Sequence, residues 1–172
     1  MNSLALFTDV SVNPQRRLGI GGYLLVPVSS LEQEPDNFER GAVTARLVIK
    51  RFEDTTSTKL EVQTVLWALD ELREEPAGAD PGALRIYTDS QCVAGLLGRR
   101  AGLTGRDFVA RRSGRPLAHA PLYRAFYTTY DRLGFQLIKV AGHTRTHDTV
   151  QRVFSHVDRE VRKALALWMR EG

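Results

Sequence analysis

Four acidic residues occupy positions where the surrounding sequence predicts buried structure. Asp9 and Asp89 each follow directly after a short segment, Leu4–Thr8 and Leu84–Thr88, whose residues are typical of a strand. Glu61 lies on the apolar stripe of one predicted helix, and Asp158 lies beside the apolar stripe of another. Because carboxylates are almost never fully buried unless they are paired or bound to a metal ion, these four residues are the candidates for chemistry.

The chemistry open to such a group depends on whether the four side chains meet. Carboxylates within a few Å of one another repel, so the pKa of some of them must rise. A divalent cation removes that penalty, and ligands that are all oxygen favour a hard ion, Mg²⁺ or Mn²⁺, over zinc. Two such ions about 3.5–4 Å apart can activate a water molecule and stabilise the leaving oxygen of an in-line phosphoryl displacement.

Each acid also has an ordinary structural explanation when it is taken alone. Asp9 can begin a turn, Asp89 can cap the helix that follows it, and Asp158 can form an ion pair with a basic residue on its own helix. Glu61 can close a capping box. The partners in these explanations are Asn13 for the turn, Thr58 for the capping box and Arg162 for the ion pair. Four acids on elements that converge on one edge nevertheless favour a shared site.

The elements that would position these acids follow from hydrophobic periodicity and turn residues. Strands are predicted at residues 4–8, 19–27, 42–52, 84–88 and 135–140, and a polar loop at 29–41. Helices are predicted at residues 58–74, 90–97, 122–133 and 151–169. Gly21 and Gly22 weaken the second strand, which indicates a bulge or a close approach of another backbone.

The connections between these elements predict the fold. Short connections let the first three strands pair antiparallel, whereas the last two strands need helical crossovers and lie parallel to the first. The sequence therefore predicts an α/β fold with a mixed five-stranded sheet flanked by helices, in a single domain over residues 1–172. Ligands of such sheets favour the crevice beyond the carboxyl ends of the strands.

The composition excludes several classes of protein. The chain has 172 residues, a formal net charge of +4 and one cysteine, which excludes an internal disulfide framework and a four-thiolate zinc site. No apolar run approaches the roughly 18 residues that a membrane span needs. The first residues lack the basic start of a signal peptide. We expect a cytoplasmic protein with no membrane partner and no obligate protein partner.

The positive charge is concentrated in one segment. Six arginines lie between residues 99 and 115, against the single acid Asp107. Such an excess attracts a polyanion and suggests a nucleic-acid partner, although a solvated basic loop is the alternative.

The ordered motifs of the chain resemble those of the type 1 ribonucleases H, and together they span nearly its whole length. They run from Phe7-Thr8-Asp9-Val10-Ser11 and the glycine-rich Gly19-Ile20-Gly21-Gly22-Tyr23, through Thr56-Ser57-Thr58-Lys59-Leu60-Glu61 and Tyr87-Thr88-Asp89-Ser90-Gln91, to Lys139-Val140-Ala141-Gly142-His143 and Val157-Asp158-Arg159. The resemblance implies a ribonuclease H-like fold. It also implies hydrolysis of the RNA strand of RNA/DNA hybrids, which leaves 5′-phosphate and 3′-hydroxyl ends.

The same resemblance implies a role for individual residues. Asp9, Glu61, Asp89 and Asp158 would hold two Mg²⁺ ions, with Mn²⁺ as a substitute, and His143 would assist proton transfer or product release. Groove contacts to the hybrid would come from Ser11, Asn13, Thr58 and Gln91, and a grip on the DNA phosphate from Thr56. The basic segment takes the place of the family's basic handle, with Arg99, Arg100, Arg111 and Arg112 as phosphate contacts.

The sequence departs from the family pattern at several places. Position 10 is valine where the family usually has glycine, the turn from Asp9 to Asn13 is short, and the stretch from His143 to Asp158 is long. His143 and His147 are four residues apart, as zinc ligands on a helix would be, but the residues between them look like a loop and no cysteine pair lies near.

Three other functions remain open on the sequence alone. The first is another nuclease of the superfamily, acting on structured DNA or double-stranded RNA. The second is a non-catalytic nucleic-acid-binding module on the same scaffold, and the third an ordinary α/β domain whose acids are caps.

Overall fold

The computed structural model describes residues 3–33, 39–72, 84–141 and 148–171 of the chain. Within these ranges, five strands form one sheet in the order β3-β2-β1-β4-β5: β1 (Leu4–Asn13), β2 (Leu18–Pro27), β3 (Val48–Phe52), β4 (Leu84–Thr88) and β5 (Gln136–Lys139). The helices are α1 (Arg40–Arg46), α2 (Ser57–Leu72), α3 (Gln91–Gly105), α4 (Ala120–Leu133) and α5 (Thr149–Arg170), with a 3₁₀ helix at Val28–Glu32.

The pairing of the strands confirms the predicted mixed sheet. β2 pairs antiparallel with both β1 and β3, whereas β4 pairs parallel with both β1 and β5. The register places Asp9 opposite Gly22 and Phe7 opposite Tyr87. β1 therefore lies at the centre of the sheet, and it continues beyond the point where its parallel neighbour β4 ends.

Helices cover both faces of the sheet. Successive side chains of a strand point to opposite faces, so β1 contributes to two apolar clusters. Leu6 packs in the cluster of α2, α3 and α4, whereas Ala5 and Phe7 pack in the cluster of α1 and α5. Asp9 continues the alternation of Ala5 and Phe7, so its side chain belongs to the face that α5 covers.

Two glycines of β2 allow the helices to approach the sheet closely. The register of β2 is continuous through Gly21 and Gly22, so neither marks a bulge. A Cβ at Gly21 would lie 2.4 Å from Thr64 Oγ1 of α2, and one at Gly22 would lie 2.6 Å from Val161 Cγ2 of α5. The glycines therefore make room for side chains of α2 and α5, one on each face, rather than for another backbone as predicted.

The structure corrects several of the predicted boundaries. The predicted loop at 29–41 overlaps the 3₁₀ helix Val28–Glu32 at its start and the first two residues of α1 at its end. Residues 42–46, predicted as part of a strand, belong to α1, and only Val48–Phe52 is extended. Val43 and Leu47 both pack in the α5 cluster, and their spacing of four residues is that of a helix. β1 runs on to Asn13, so Asp9 lies within the strand rather than at its end.

The helix predicted at residues 90–97 continues to Gly105. Leu96 and Leu103 are seven residues apart and are both buried, which keeps one face of α3 on the core. Their burial outweighs the low helix propensity of Gly98 and Gly102. No helix in the described part of the chain is long and apolar enough to cross a membrane.

Candidate functional site

Asp9 and Asp89 lie side by side at the edge of the sheet where β4 ends. Phe7 pairs with Tyr87, so the same parallel register carried on by two residues sets Asp9 level with Asp89. Asp9 is 7% exposed within β1, whereas Asp89 is exposed directly after the last residue of β4. The crevice beyond the carboxyl end of β4 therefore carries an acid on each side, as the strand positions predict.

Asp158 of α5 approaches Asp9 from the covered face of the sheet. Its carboxylate lies close enough to the Asp9 carboxylate to affect the ionisation of Asp9. Burial above all, followed by the neighbouring Asp158 and Asp89, raises the pKa of Asp9 to about 9. Asp9 Oδ2 is buried and has no hydrogen-bond partner among the described residues. Because two ionised carboxylates cannot donate to one another, this contact needs either a proton or a cation.

Glu61 reaches the crevice from α2 on the opposite face. The Ser90 hydroxyl donates to Glu61 Oε2 at 2.5 Å. Burial raises the pKa of Glu61, Asp89 raises it as well, and the Ser90 hydrogen bond opposes both. Asp89 thus interacts with Asp9 on one side and with Glu61 on the other, which links the four acids.

Ser90 has a role that our reading of the sequence missed. Its Oγ accepts from the backbone N–H of Val93 at 3.1 Å and so caps α3, and its own N–H donates to Thr88 Oγ1. The same Oγ holds Glu61. A serine immediately before a helix is the signal of an N-cap, and that signal was present in the sequence.

The ordinary explanations of the acids have different outcomes. The cap of α3 is Ser90, so the alternative role of Asp89 as an N-cap is wrong. At the start of α2, Thr56 Oγ1 accepts from the Lys59 N–H at 3.3 Å, and Glu61 turns to Ser90 instead of closing a capping box with Thr58.

The ion pair predicted for Asp158 is present, with Arg162 Nη2 at 2.8 Å from Asp158 Oδ2. The turn after β1 is held by Asn13, whose Oδ1 accepts from the Arg16 N–H, rather than by Asp9. Asp158 therefore has one basic and one acidic neighbour, the guanidinium of Arg162 and the carboxyl group of Asp9.

The donor atoms of the site suit a hard divalent cation. All four side chains offer carboxylate oxygens, and one buried oxygen of Asp9 lacks a donor. Burial above all raises the pKa of Asp9 and of Glu61, and neighbouring carboxylates raise both further, so positive charge would favour their ionised forms. No three acidic, histidine or cysteine side chains within the described ranges are arranged to hold one ion. Binding a cation here would therefore require Asp158 to turn away from its present partner, Arg162.

The predicted substrate-contacting residues have varied positions. Ser11 is half-buried on the same face of β1 as Asp9, two residues further along the strand, and Gln91 is exposed at the start of α3. Thr58 is exposed in the first turn of α2, next to the cap residue Thr56. His143, like His147, lies outside the described residues.

Asn13 lies away from the four acids. It is four residues beyond Asp9 on β1, about 13 Å at the rise of an extended strand. Its Nδ2 contacts Met169 Sδ near the end of α5, and its Oδ1 is used by the turn. Its polar atoms are thus occupied by the structure of the turn.

The basic segment divides into paired and exposed arginines. Arg100 makes two hydrogen bonds of 2.6 Å to the carboxylate of Asp131, so its charge is already matched. The guanidinium of Arg99 lies 5.8 Å from the centre of the Tyr123 ring. Arg111 and Arg112 are exposed in the loop between α3 and α4. Of the four predicted phosphate contacts, Arg99, Arg111 and Arg112 are exposed, whereas Arg100 is half-buried.

A comparison with solved structures places this architecture among known folds. The chain is similar to one in a structure described as that of the foamy viral protease-reverse transcriptase in complex with dsDNA, with a TM-score of 0.61 and 14% sequence identity. The match covers 93% of this chain and 94% of that chain. The two chains share a fold. No protein-family model matches the sequence, and no curated protein matches it.

Proposed function

We propose that this chain is a ribonuclease H-like nuclease that hydrolyses the RNA strand of an RNA/DNA hybrid with the help of divalent cations. The observation that carries the proposal is the convergence of Asp9, Glu61, Asp89 and Asp158, from four different elements, on one crevice at the end of β4. The motif order in the sequence and the fold shared with a protein solved on dsDNA support it.

The four carboxylates would hold the cations, Mg²⁺ or Mn²⁺, each acid binding through its oxygens. When bound, such ions lower the pKa of water and stabilise negative charge on a transferring phosphoryl group. In the reaction, a water oxygen bonds to phosphorus, the bond from phosphorus to O3′ breaks, and the leaving oxygen takes up a proton. Ser90 fixes the orientation of Glu61, and Asp9 is fixed by its place in the central strand.

The partner would be a duplex rather than a small molecule. The exposed arginines Arg111 and Arg112 can contact backbone phosphates, which supply sequence-independent affinity. Recognition of the RNA strand would depend on its 2′-hydroxyl groups, because these distinguish RNA from DNA at a given position.

The test compares four labelled substrates, namely an RNA/DNA hybrid, double-stranded RNA, duplex DNA and single-stranded RNA. Each is incubated with the protein in Mg²⁺, in Mn²⁺ and in a chelator. We expect cleavage of the RNA strand of the hybrid in either metal, with no cleavage in the chelator. An intact hybrid in both metals would refute the proposal, and preferred cleavage of duplex DNA or double-stranded RNA would assign a different substrate.

The site assignment is tested separately with Asp89→Asn, which keeps the side-chain shape and removes the charge. We expect activity to fall by at least about 10–100-fold, the loss that follows when a residue that merely supports a metal ligand is removed. Asp54→Asn is the matched control, because Asp54 is exposed beside the turn after β1, where it pairs with Arg17. Full activity in Asp89→Asn would remove Asp89 from the site.

A further inference from the structure

A pocket separate from the crevice at the end of β4 lies on the α5 side of the four acids. It has a volume of about 160 Å³ and is lined by Asp89, Gln151, Phe154, Ser155, Asp158, Arg159 and Arg162. Four of these residues occupy one face of α5, because Asp158, Arg159 and Arg162 follow Ser155 by three, four and seven positions. Two guanidinium groups and a hydroxyl, all hydrogen-bond donors, thus line a pocket that shares Asp89 and Asp158 with the candidate active site.

Arg162 is the residue of this pocket that is best placed to change partner. Its Nη2 lies 2.8 Å from Asp158 Oδ2, and its side chain is 61% exposed, whereas that of Asp158 is 26% exposed. An ion pair that is so exposed contributes little to stability, so the guanidinium can leave it at small cost. The planar guanidinium is also the side chain that best matches the oxygens of a phosphate group.

We propose that this pocket binds a phosphate group, and that Arg162 exchanges Asp158 for that phosphate when a cation binds the acids. The inference deepens the proposed function, on which it rests for the identity of the phosphate as one in the nucleic-acid backbone. Without a cation, the formal charges of the two arginines balance those of Asp89 and Asp158, and a phosphate would meet two carboxylates. Cation binding at these carboxylates leaves the pocket positive.

This arrangement couples the two ligands in a way that can be measured. A cation that binds Asp158 releases Arg162, so phosphate should bind more tightly in Mg²⁺ than in a chelator. By linkage, phosphate must then tighten Mg²⁺ binding by the same factor. Removal of Arg162 should act in opposite directions on the two ligands, because Asp158 is freed of a competitor for the cation while the phosphate is deprived of a donor.

Isothermal titration calorimetry with Mg²⁺ alone, inorganic phosphate alone and each in the presence of the other tests the proposal. In Arg162→Gln we expect Mg²⁺ alone to bind several-fold more tightly and phosphate in Mg²⁺ to bind about tenfold more weakly, the size of one charged hydrogen bond. Arg162→Lys, which restores the charge without the planar fork, should recover part of the phosphate affinity.

Lys163→Gln is the matched control, because Lys163 is the exposed neighbour of Arg162 on α5 and does not line the pocket. It should behave as wild type for both ligands. Circular dichroism melting of each variant checks that the fold is retained. If Arg162→Gln binds both ligands as Lys163→Gln does, the proposal is overturned.

Inhibition kinetics separate the two sources of phosphate. Inorganic phosphate that competes with the hybrid, in wild type but more weakly in Arg162→Gln, assigns the pocket to a backbone phosphate of the substrate. Non-competitive inhibition assigns it to free phosphate. A protein that cleaves no hybrid but retains the coupled binding of Mg²⁺ and phosphate would refute the proposed function and leave the pocket standing.

Discussion

Asp9 is subject to burial and to two neighbouring carboxylates, Asp158 and Asp89, and all three raise its pKa, to about 9. In the unfolded chain it titrates near 3.8. Between these pH values the folded protein holds a proton that the unfolded chain has released, so stability falls as pH rises. We expect the free energy of unfolding without metal to drop by on the order of 1 kcal/mol or more from pH 5 to pH 8, in urea denaturation with a chelator.

The variant Asp9→Asn isolates this effect at the same site. It keeps the shape of the side chain and removes the titrating group, so its stability should vary less with pH than that of wild type. Asp54→Asn should keep the wild-type dependence, since Asp54 is exposed. Identical pH profiles for Asp9→Asn and wild type would show that Asp9 is not the group that holds the proton.

Ser90 uses one hydroxyl to cap α3 and to hold Glu61. Ser90→Ala should lower the free energy of unfolding by about 1 kcal/mol because the cap is removed, seen as a lower urea midpoint. It should also weaken Mg²⁺ binding in calorimetry, because Glu61 is left without its orienting donor. Ser90→Thr should restore both properties, and Ser113→Ala in the exposed loop should change neither. Reduced stability with unchanged Mg²⁺ binding would leave Ser90 as a cap only.

Gly22 of β2 pairs with Asp9 of β1 and lets α5 approach the sheet closely, because any side chain at this position would meet Val161. Gly22→Ala adds a methyl group at 2.6 Å from Val161 Cγ2, so the Val161 side chain or α5 as a whole must shift, and a shift of α5 moves Asp158 away from Asp9. We expect the free energy of unfolding to fall by about 1–3 kcal/mol from overpacking, together with weaker Mg²⁺ binding. Gly41→Ala in α1 is the control, because a Cβ there meets nothing within 4 Å; it should not destabilise the protein.

The sequence predicts an element correctly where neighbouring residues alone determine which side chains are buried and where the element ends. β4 agrees with its predicted bounds because Leu84, Ile86 and Tyr87 favour a strand, which ends at Thr88 immediately before Asp89. The strand predicted over 42–52 was wrong over its first five residues, because the short mixture of apolar and polar residues at 42–46 is compatible with a strand or a helix. The packing of Val43 and Leu47 in the α5 cluster, at a spacing of four residues, favours the helix. The contact of Asp158 with Asp9 depends on the approach of α5 that Gly22 permits, and no pattern within α5 specifies that distance.

Several arginines already pair with acids of the same chain, so less positive charge is available to a nucleic acid than the composition suggests. Arg100 is matched by Asp131 and Arg124 by Asp107, which leaves Arg99 of α3 and the exposed loop that carries Arg111 and Arg112 as candidates for phosphate contacts. Both of these arginines lie between α3 and α4, and α3 begins next to Ser90 and the acids. A duplex bound at the crevice therefore has a basic loop connected to the site through one helix.

This division of the arginines predicts how binding of a hybrid depends on salt. The double variant Arg111→Gln, Arg112→Gln should reduce the slope of log affinity against log salt concentration by about one unit for each phosphate that it no longer binds. The affinities are measured by fluorescence anisotropy, with a chelator present to prevent cleavage. Arg100→Gln removes the same type of charge but one that Asp131 already matches, so its slope should stay close to wild type. A flatter slope for Arg100→Gln than for the double variant would mean that the hybrid displaces Asp131 and follows α3, not the loop.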